Sequence, residues 1–421
     1  MTGRLWLVAG AALAAGYAAL TGFVRSDNTP FDLGLFISLM AVLGGLWLWI
    51  LRAAAPPPLR VTVAFALLFR ALVLPAGFFE GDTPRLILYD DDVWRYIWEG
   101  HAWSAGVNPA KVPPAGLDEY DLEMRDPALR QRLYPSARWS AIYDNIGYRD
   151  VASPYPPLVH GLFRLVDTMA PGSVLGFKLL ATAFDLGVLM LLARRDAFAA
   201  LAWGWCPLVV KEFAGSAHLD SALAFALTAA AGRSGSLWLA AGVLVKPVAL
   251  LLAPAMARRE RWHTFAACGL AIAGLAWFAP RGLADYTAEW TFNPALFRVI
   301  PLPRPAALAA AGAALIILAL WLLRRDDGSR DAWERQQVWL LGGFLLLTPM
   351  FAPWYVAWVL PAAALRRAWY WLALAAFLCL SYHAVYAWRE WPAVTMIQFL
   401  APAALWWIWR RRSRLPPPGV R

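Results

Sequence analysis

The chain has 421 residues, of which 60% are hydrophobic and only 16% charged, with a mean hydropathy of +0.50; soluble globular domains run nearer half apolar and a quarter charged. A single water-soluble domain is therefore excluded, and apolar runs of the roughly 20-residue length that crosses hydrocarbon recur from Leu5 to Trp409. The formal charge of +10 is unevenly spread: residues 80–157 hold 13 acidic and 8 basic side chains, leaving 30 basic and 15 acidic elsewhere. Short basic loops stay in the cytoplasm and a long acidic loop belongs on the opposite side, so the positive balance reports topology and no nucleic-acid partner is expected.

In chain order, Arg4 precedes an apolar run to Val24 that is too long for a signal-peptide core and reads as a first transmembrane helix starting in the cytoplasm. Leu33–Leu51 returns to a Pro-rich turn between Arg52 and Arg60, and Val61–Phe79 crosses outward. After the acidic loop, spans are expected at Val174–Ala193, Ala197–Val210 and His218–Ala231. The next run, Leu237–Met256, would leave Arg258, Arg259 and Arg261 outside if it crossed once. Lys246-Pro247 lies in its middle, and proline removes a helix donor and clashes with the preceding turn, so a hairpin of two half-helices keeps the arginines inside. Further spans are expected at Phe265–Ala279, Ala306–Leu323, Val338–Pro349, Tyr355–Leu365, Tyr370–Tyr386 and Val394–Trp409, with both termini cytoplasmic.

The predicted fold is thus an all-α polytopic membrane protein of about 12–14 transmembrane helices with a large structured extracytoplasmic first loop. Its parts are residues 1–79 (three helices), 80–172 (loop with amphipathic helices), 173–410 (remaining bundle with a broken hairpin near 237–256) and 411–421 (basic cytoplasmic tail). The loop is too long for a simple connection. Asp92–Trp103 has helical spacing with Asp92 as its N-cap, and Leu158–Val166 resumes as an amphipathic interfacial helix. The three cysteines lie far apart in apolar stretches and form neither metal spacing nor a disulfide framework.

This threading brings YDDDVWRYIWEG (89–100), KEFAGSAHLD (211–220), Lys246-Pro247, FNP (292–294) and APWY (352–355) to one face of the membrane. Ionisable groups at membrane depth are costly, so their convergence marks a functional site. The sequence resembles the GT-C superfamily of integral-membrane glycosyltransferases, and within it the bacterial polyprenyl-phosphate-mannose-dependent alpha-mannosyltransferases. The resemblance rests on DDVWRYIWEGHAWSAGVNPAKVPP, followed in order by SPYPPLVH, KEFAGSAHLD, KP, FNP and PWYVAW. Ala110-Lys111 departs from it, since an aromatic residue usually follows the Asn-Pro.

The resemblance implies transfer of a sugar, outside the cytoplasm, from a polyprenyl-phosphate-linked donor to a hydroxyl on a lipid or glycan acceptor, with inversion. It also implies a multi-pass protein of the bacterial cytoplasmic (inner) membrane, in contact with membrane lipids and with the active site facing the extracytoplasmic side. Displacement at the anomeric carbon requires a base, and a carboxylate serves if burial or a like charge raises its pKa. Asp92 matches the family's loop acid and is the first candidate, with Asp91 second; the alternative is that the three carboxylates cap a helix or bind a cation. A divalent cation is the one cofactor left open, and no histidine pair has zinc-ligand spacing.

The phosphate leaving group calls for cationic donors, for which Arg95, Lys211, His218 and Lys246 are candidates. Against these stand an intrahelical ion pair for Arg95, a snorkelling interfacial lysine for Lys246 and an ordinary hydrogen-bonded histidine for His218. The matched motifs add Tyr96, Glu99, Asp220, Asn293, Trp354 and Tyr355 as substrate contacts, the last two as an aromatic shelf. Arg70, Lys178 and Asp185, inside spans, read as interhelical pairs. A transporter or flippase would instead concentrate its charges near the midplane of repeated halves, and a noncatalytic scaffold would not need Asp92.

Overall fold

Helix is the form these runs take because, in hydrocarbon, every backbone donor and acceptor must be satisfied within its own segment, and Ala and Leu, which dominate them, are strong helix formers. The computed structural model describes residues 3–25, 29–52, 55–77, 86–384 and 391–412. The ends of the expected spans Val61–Phe79 and Tyr370–Tyr386, residues 80–85 of the acidic loop and the tail from 413 lie outside the described residues.

Helices α1 (Gly3–Leu20), α2 (Pro30–Arg52) and α3 (Leu59–Val73) open the chain. A two-residue antiparallel ladder, β1 (Val24–Arg25) with β2 (Leu86–Ile87), ties the link after α1 to the entry of the acidic loop. That loop carries α4 (Asp92–Ser104), α5 (Glu119–Arg125), α6 (Pro127–Leu133), α7 (Ala137–Asp144) and α8 (Pro157–Met169). Local chemistry starts these pieces. Asp118 accepts from the Tyr120 and Asp121 amides to begin α5, and Asp126 accepts from Leu129 to begin α6 with Pro127 in its first turn. The helix expected to be capped by Asp92 starts one position differently: Asp91 occupies the N-cap, and the Asp92 amide donates to Asp90 Oδ1 at 3.0 Å. Helix α4 packs along α8.

The bundle continues with α9 (Val174–Ala193), capped by Ser173, and α10 (Ala197–Gly204), capped by Asp196. Then come α11 (Pro207–Val209), which runs on as a π-helical turn over Val210–Gly215, and α12 (Asp220–Ala229). Helix α13 (Gly235–Val245) stops at Lys246, a 3₁₀ turn spans Pro247–Leu252, and α14 (Ala253–Arg259) follows. The chain returns to its starting level here, because the Gly235 and Ser236 amides donate to Glu260, each at 2.9 Å, and Arg259 donates to the Ala230 and Ala231 carbonyls.

Helix α15 (Arg261–Phe278) and α16 (Arg281–Glu289) meet at 96° across left-handed Ala279 and Pro280. A Cβ on Gly282 would lie 1.9 Å from the Ala152 carbonyl oxygen, so α16 rests directly on the acidic loop. The last elements are α17 (Arg304–Leu323), α18 (Arg330–Gln336) with a π-helical continuation at Gln337–Leu341, and α19 (Gly342–Leu347). After a 3₁₀ turn at Pro353–Trp358 come α20 (Leu360–Leu365), α21 (Trp369–Phe377) with a 3₁₀ turn at Leu378–Tyr382, and α22 (Pro392–Arg412).

Among the described residues the protein is therefore all-α apart from one two-residue ladder and an isolated bridge between Phe292 and Met350, with several helices fit to cross a membrane. Among the described residues five helices are long and apolar enough to do so, and seven if the bent pairs α10 with α11 and α15 with α16 each count as one span. The run 237–256 breaks at Lys246-Pro247 into two short helical pieces as expected, and the expected span Tyr355–Leu365 is divided near Pro361 into a 3₁₀ turn and α20. The charges inside the bundle do pair: Arg70 of α3 meets Asp185 of α9 through two hydrogen bonds of 2.6 and 2.8 Å. Lys178 donates to the Leu74 and Ala76 carbonyls.

Candidate active site

The acidic run leaves β2 through a tight turn. Leu88 and Tyr89 both adopt left-handed backbone (φ 54° and 61°), and the Ile87 amide donates back to the Asp90 carbonyl. Consecutive left-handed residues that are not glycine are strained and persist only where packing holds them. Here Leu88 and Tyr89 are buried. The turn delivers Asp90, Asp91 and Asp92 to the rim of a cavity of about 790 Å³ at the head of α4.

Aromatic rings from separate parts of the chain make up much of the wall: Tyr148 and Tyr155 from the acidic loop, Tyr286 and Trp290 from α16 and its end, Trp354 and Tyr355 from the turn before α20. Asp220 at the start of α12 and Lys246 at the α13 break complete the polar lining with Arg95 and Tyr96 of α4. Of the residues expected from sequence, Asp91, Asp92, Arg95, Tyr96, Asp220, Lys246, Trp354 and Tyr355 thus line one cavity. Lys211, His218, Glu99 and Asn293 do not line it; all four are buried.

The reasons are geometric. Arg95 Nε donates to Glu99 Oε1 at 2.7 Å one helical turn on, and its other nitrogens donate to the carbonyls of Gly147, Tyr148 and Val151. It clamps the loop onto α4. Glu99 also accepts from Ser153 Oγ at 2.7 Å, and burial pushes its carboxyl up. His160, bonded to the same hydroxyl, is pushed down to about 3 by burial and by the Arg95 charge, so it is neutral. Asn293, itself in left-handed backbone, donates to the Phe351 carbonyl and accepts from Gln398, which holds the Phe292 wall against Met350. Lys211 is bound by Glu212 Oε2 at 3.1 Å and by the Tyr382 hydroxyl, which also bonds Glu212.

Lys246 is different, with a quarter of its side chain exposed. Its Nζ donates to Asp220 Oδ1 at 2.8 Å and lies 3.9 Å from the Tyr355 ring centre, while Trp358 Nε1 donates to the same Asp220 oxygen. Tyr355 in turn shares a hydrogen bond with Tyr286 of α16. Asp92, 34% exposed, accepts from the Tyr96 hydroxyl at 3.2 Å. Its carboxyl is pushed up to about 6, first by burial and then by the charge of Asp90, against the opposing pull of His218 and Tyr96. Burial also acts on Asp90, but His218 and Lys211 outweigh it and hold that carboxyl below its ordinary value. Two adjacent carboxylates are thus driven apart in acidity, the pattern that separates a base from a permanent charge.

Asp90, Asp92 and His218 offer oxygen and nitrogen atoms within 4.8 Å of one another. Nε2 of His218 is engaged with Asp90 at 2.8 Å and Nδ1 with the Tyr96 hydroxyl at 3.2 Å, so in this structure the three side chains form one hydrogen-bonded network. Sequence reasoning passed over Glu212, Tyr155, Tyr286 and Trp290. Glu212 and Tyr155 sit inside motifs that it quoted, whereas Tyr286 carries no local signal and reaches the cavity only because α16 bends. No family model, curated protein or solved structure matches the chain.

Proposed function

We propose that the protein is a membrane glycosyltransferase of GT-C type that moves a sugar, mannose by resemblance, from a polyprenyl-phosphate donor to a lipid, glycan or cell-envelope hydroxyl. In this reading the chain crosses the bacterial inner membrane about 12–14 times, and the cavity opens on its extracytoplasmic side. The observation that carries it is Asp92: a carboxylate with raised affinity for a proton, at the rim of a large cavity with aromatic walls of the kind sugars stack on. It takes the acceptor proton as the hydroxyl attacks the anomeric carbon, and the bond to the donor phosphate breaks with inversion.

Lys246 supplies positive charge where the phosphate departs, since among the described candidates it alone combines a place in the wall with a partly exposed side chain. Asp220 keeps it oriented until the phosphate competes for it. Asp92→Asn is expected to lower transfer from a polyprenyl-phosphate sugar by about 10²–10⁴-fold with unchanged expression and folding, measured by radiolabelled sugar transfer in detergent. Full activity in both Asp92→Asn and Asp91→Asn would remove the base and the reading with it.

A further inference from the structure

Behind the Asp90, Asp92 and Tyr96 side chains that line the cavity lies a set of buried polar groups that substrate contact does not explain. His218 is buried completely, its ring stacked on Trp354 with centres 3.7 Å apart. Nε2 faces Asp90 Oδ2 at 2.8 Å and Glu212 Oε2 at 3.4 Å, and Nδ1 faces the Tyr96 hydroxyl at 3.2 Å. That hydroxyl reaches Asp92 Oδ2, also at 3.2 Å. Glu212 is fixed from below by Lys211 and Tyr382. The segment that carries Lys211 and Glu212 is a π-helical turn, a costly irregularity that concentrates at functional sites, and left-handed Ala217 then aims His218 upward.

We infer that His218 and Tyr96 are positioning residues for Asp92: a line of hydrogen bonds links the buried carboxylates through the imidazole and the phenol to one oxygen of Asp92. With both ring nitrogens protonated every link is satisfied, the ring donating to both sides. Nε2–H donates to Asp90, Nδ1–H donates to the Tyr96 oxygen, and the Tyr96 hydroxyl donates to Asp92 Oδ2. This occupies one carboxylate oxygen, leaves the other for the acceptor hydroxyl, and favours the ionised form of Asp92. Glu212 and Asp90 hold the imidazole in place, and the Trp354 ring blocks its rotation. His218 therefore touches no substrate; it acts through Tyr96.

The inference rests on reading Asp92 as the base, and its test does not depend on transfer. The titratable groups facing Asp92 from its own turn and from α4 are Asp90, Asp91, Arg95 and Tyr96. Those facing it from other elements are His218, Tyr148, Tyr155, Tyr286 and, across the cavity, Asp220 and Lys246. Infrared titration of the purified full chain in detergent reads Asp92 as the protonated-carboxyl band lost in Asp92→Asn. In Tyr96→Phe and in His218→Phe, which keeps a ring against Trp354, the midpoint of that band is expected to rise by about one unit or more, a tenfold tighter hold on the proton.

A midpoint unmoved in both variants overturns the inference. If His218→Phe does not fold, Tyr96→Phe decides alone, since it removes a single hydroxyl while the ring keeps its stacking on Phe163. A moved midpoint together with an active Asp92→Asn would refute the glycosyltransferase base while leaving the relay standing. An unmoved midpoint with an inactive Asp92→Asn would do the reverse.

Discussion

Asp92 and Asp90 sit two residues apart and are pushed in opposite directions because only Asp90 has a cation-bearing partner at direct hydrogen-bond distance from its oxygen. If Asp92 is the base, transfer is expected to decline as pH falls through about 6, where the carboxylate becomes protonated; a rate profile flat between roughly pH 5 and 8 would contradict this. The same shift has a stability counterpart. The folded chain holds a proton on Asp92 that the unfolded chain, with the ordinary value near 3.8, releases. Ionised Asp92 therefore disfavours the fold at neutral pH, and the penalty is relieved as pH drops from about 6 to about 4. Thermal unfolding should show Asp92→Asn with a higher Tm than the parent at pH 7 and no advantage near pH 4. That Asp92 and Lys246 meet at one cavity was legible from their residue types and surroundings in the chain. The burial of His218 between Asp90 and Tyr96 was not, because an exposed imidazole and a buried one look alike in one dimension.

At the scale of elements, Arg70 and Asp185 show how the bundle is locked. Their pair joins α3 to α9, and the remaining atoms are taken by the Ala66 and Gly204 carbonyls and by Trp203 Nε1. Removing one partner strands the other charge away from water. Arg70→Met is expected to lower stability by about 3–5 kcal/mol, whereas Arg70→Met with Asp185→Leu recovers most of that loss, measured as Tm in detergent. Equal losses in the single and double variants would show that packing, and not charge, joins the helices. Helix starts at Ser173, Asp196 and Ser329 arose from local capping, each side chain accepting from an amide three residues on. The π-helical turn at Val210–Gly215 and the right-angle bend before α16 did not. Each depends on what a segment packs against: Gly282 on the Ala152 carbonyl in one case, Lys211 on Tyr382 in the other.

At the scale of the molecule, the acidic loop and the Arg-rich ends of the helices are expected on opposite sides of the membrane. Single cysteines placed at Asp118 and at Asp327 should be labelled by an impermeant thiol reagent from opposite faces of sealed vesicles. Labelling from the same face would refute the threading, and native Cys206, Cys268 and Cys379 are buried and do not compete. The helical, membrane-spanning character of the chain was determined by the sequence alone, since apolar length and charge asymmetry are properties of consecutive residues. Which acids and bases meet was decided only by tertiary structure. His218 is 128 positions from Asp90, and Tyr382 is 170 from Glu212, so each pairing depends on how distant helices are packed and turned.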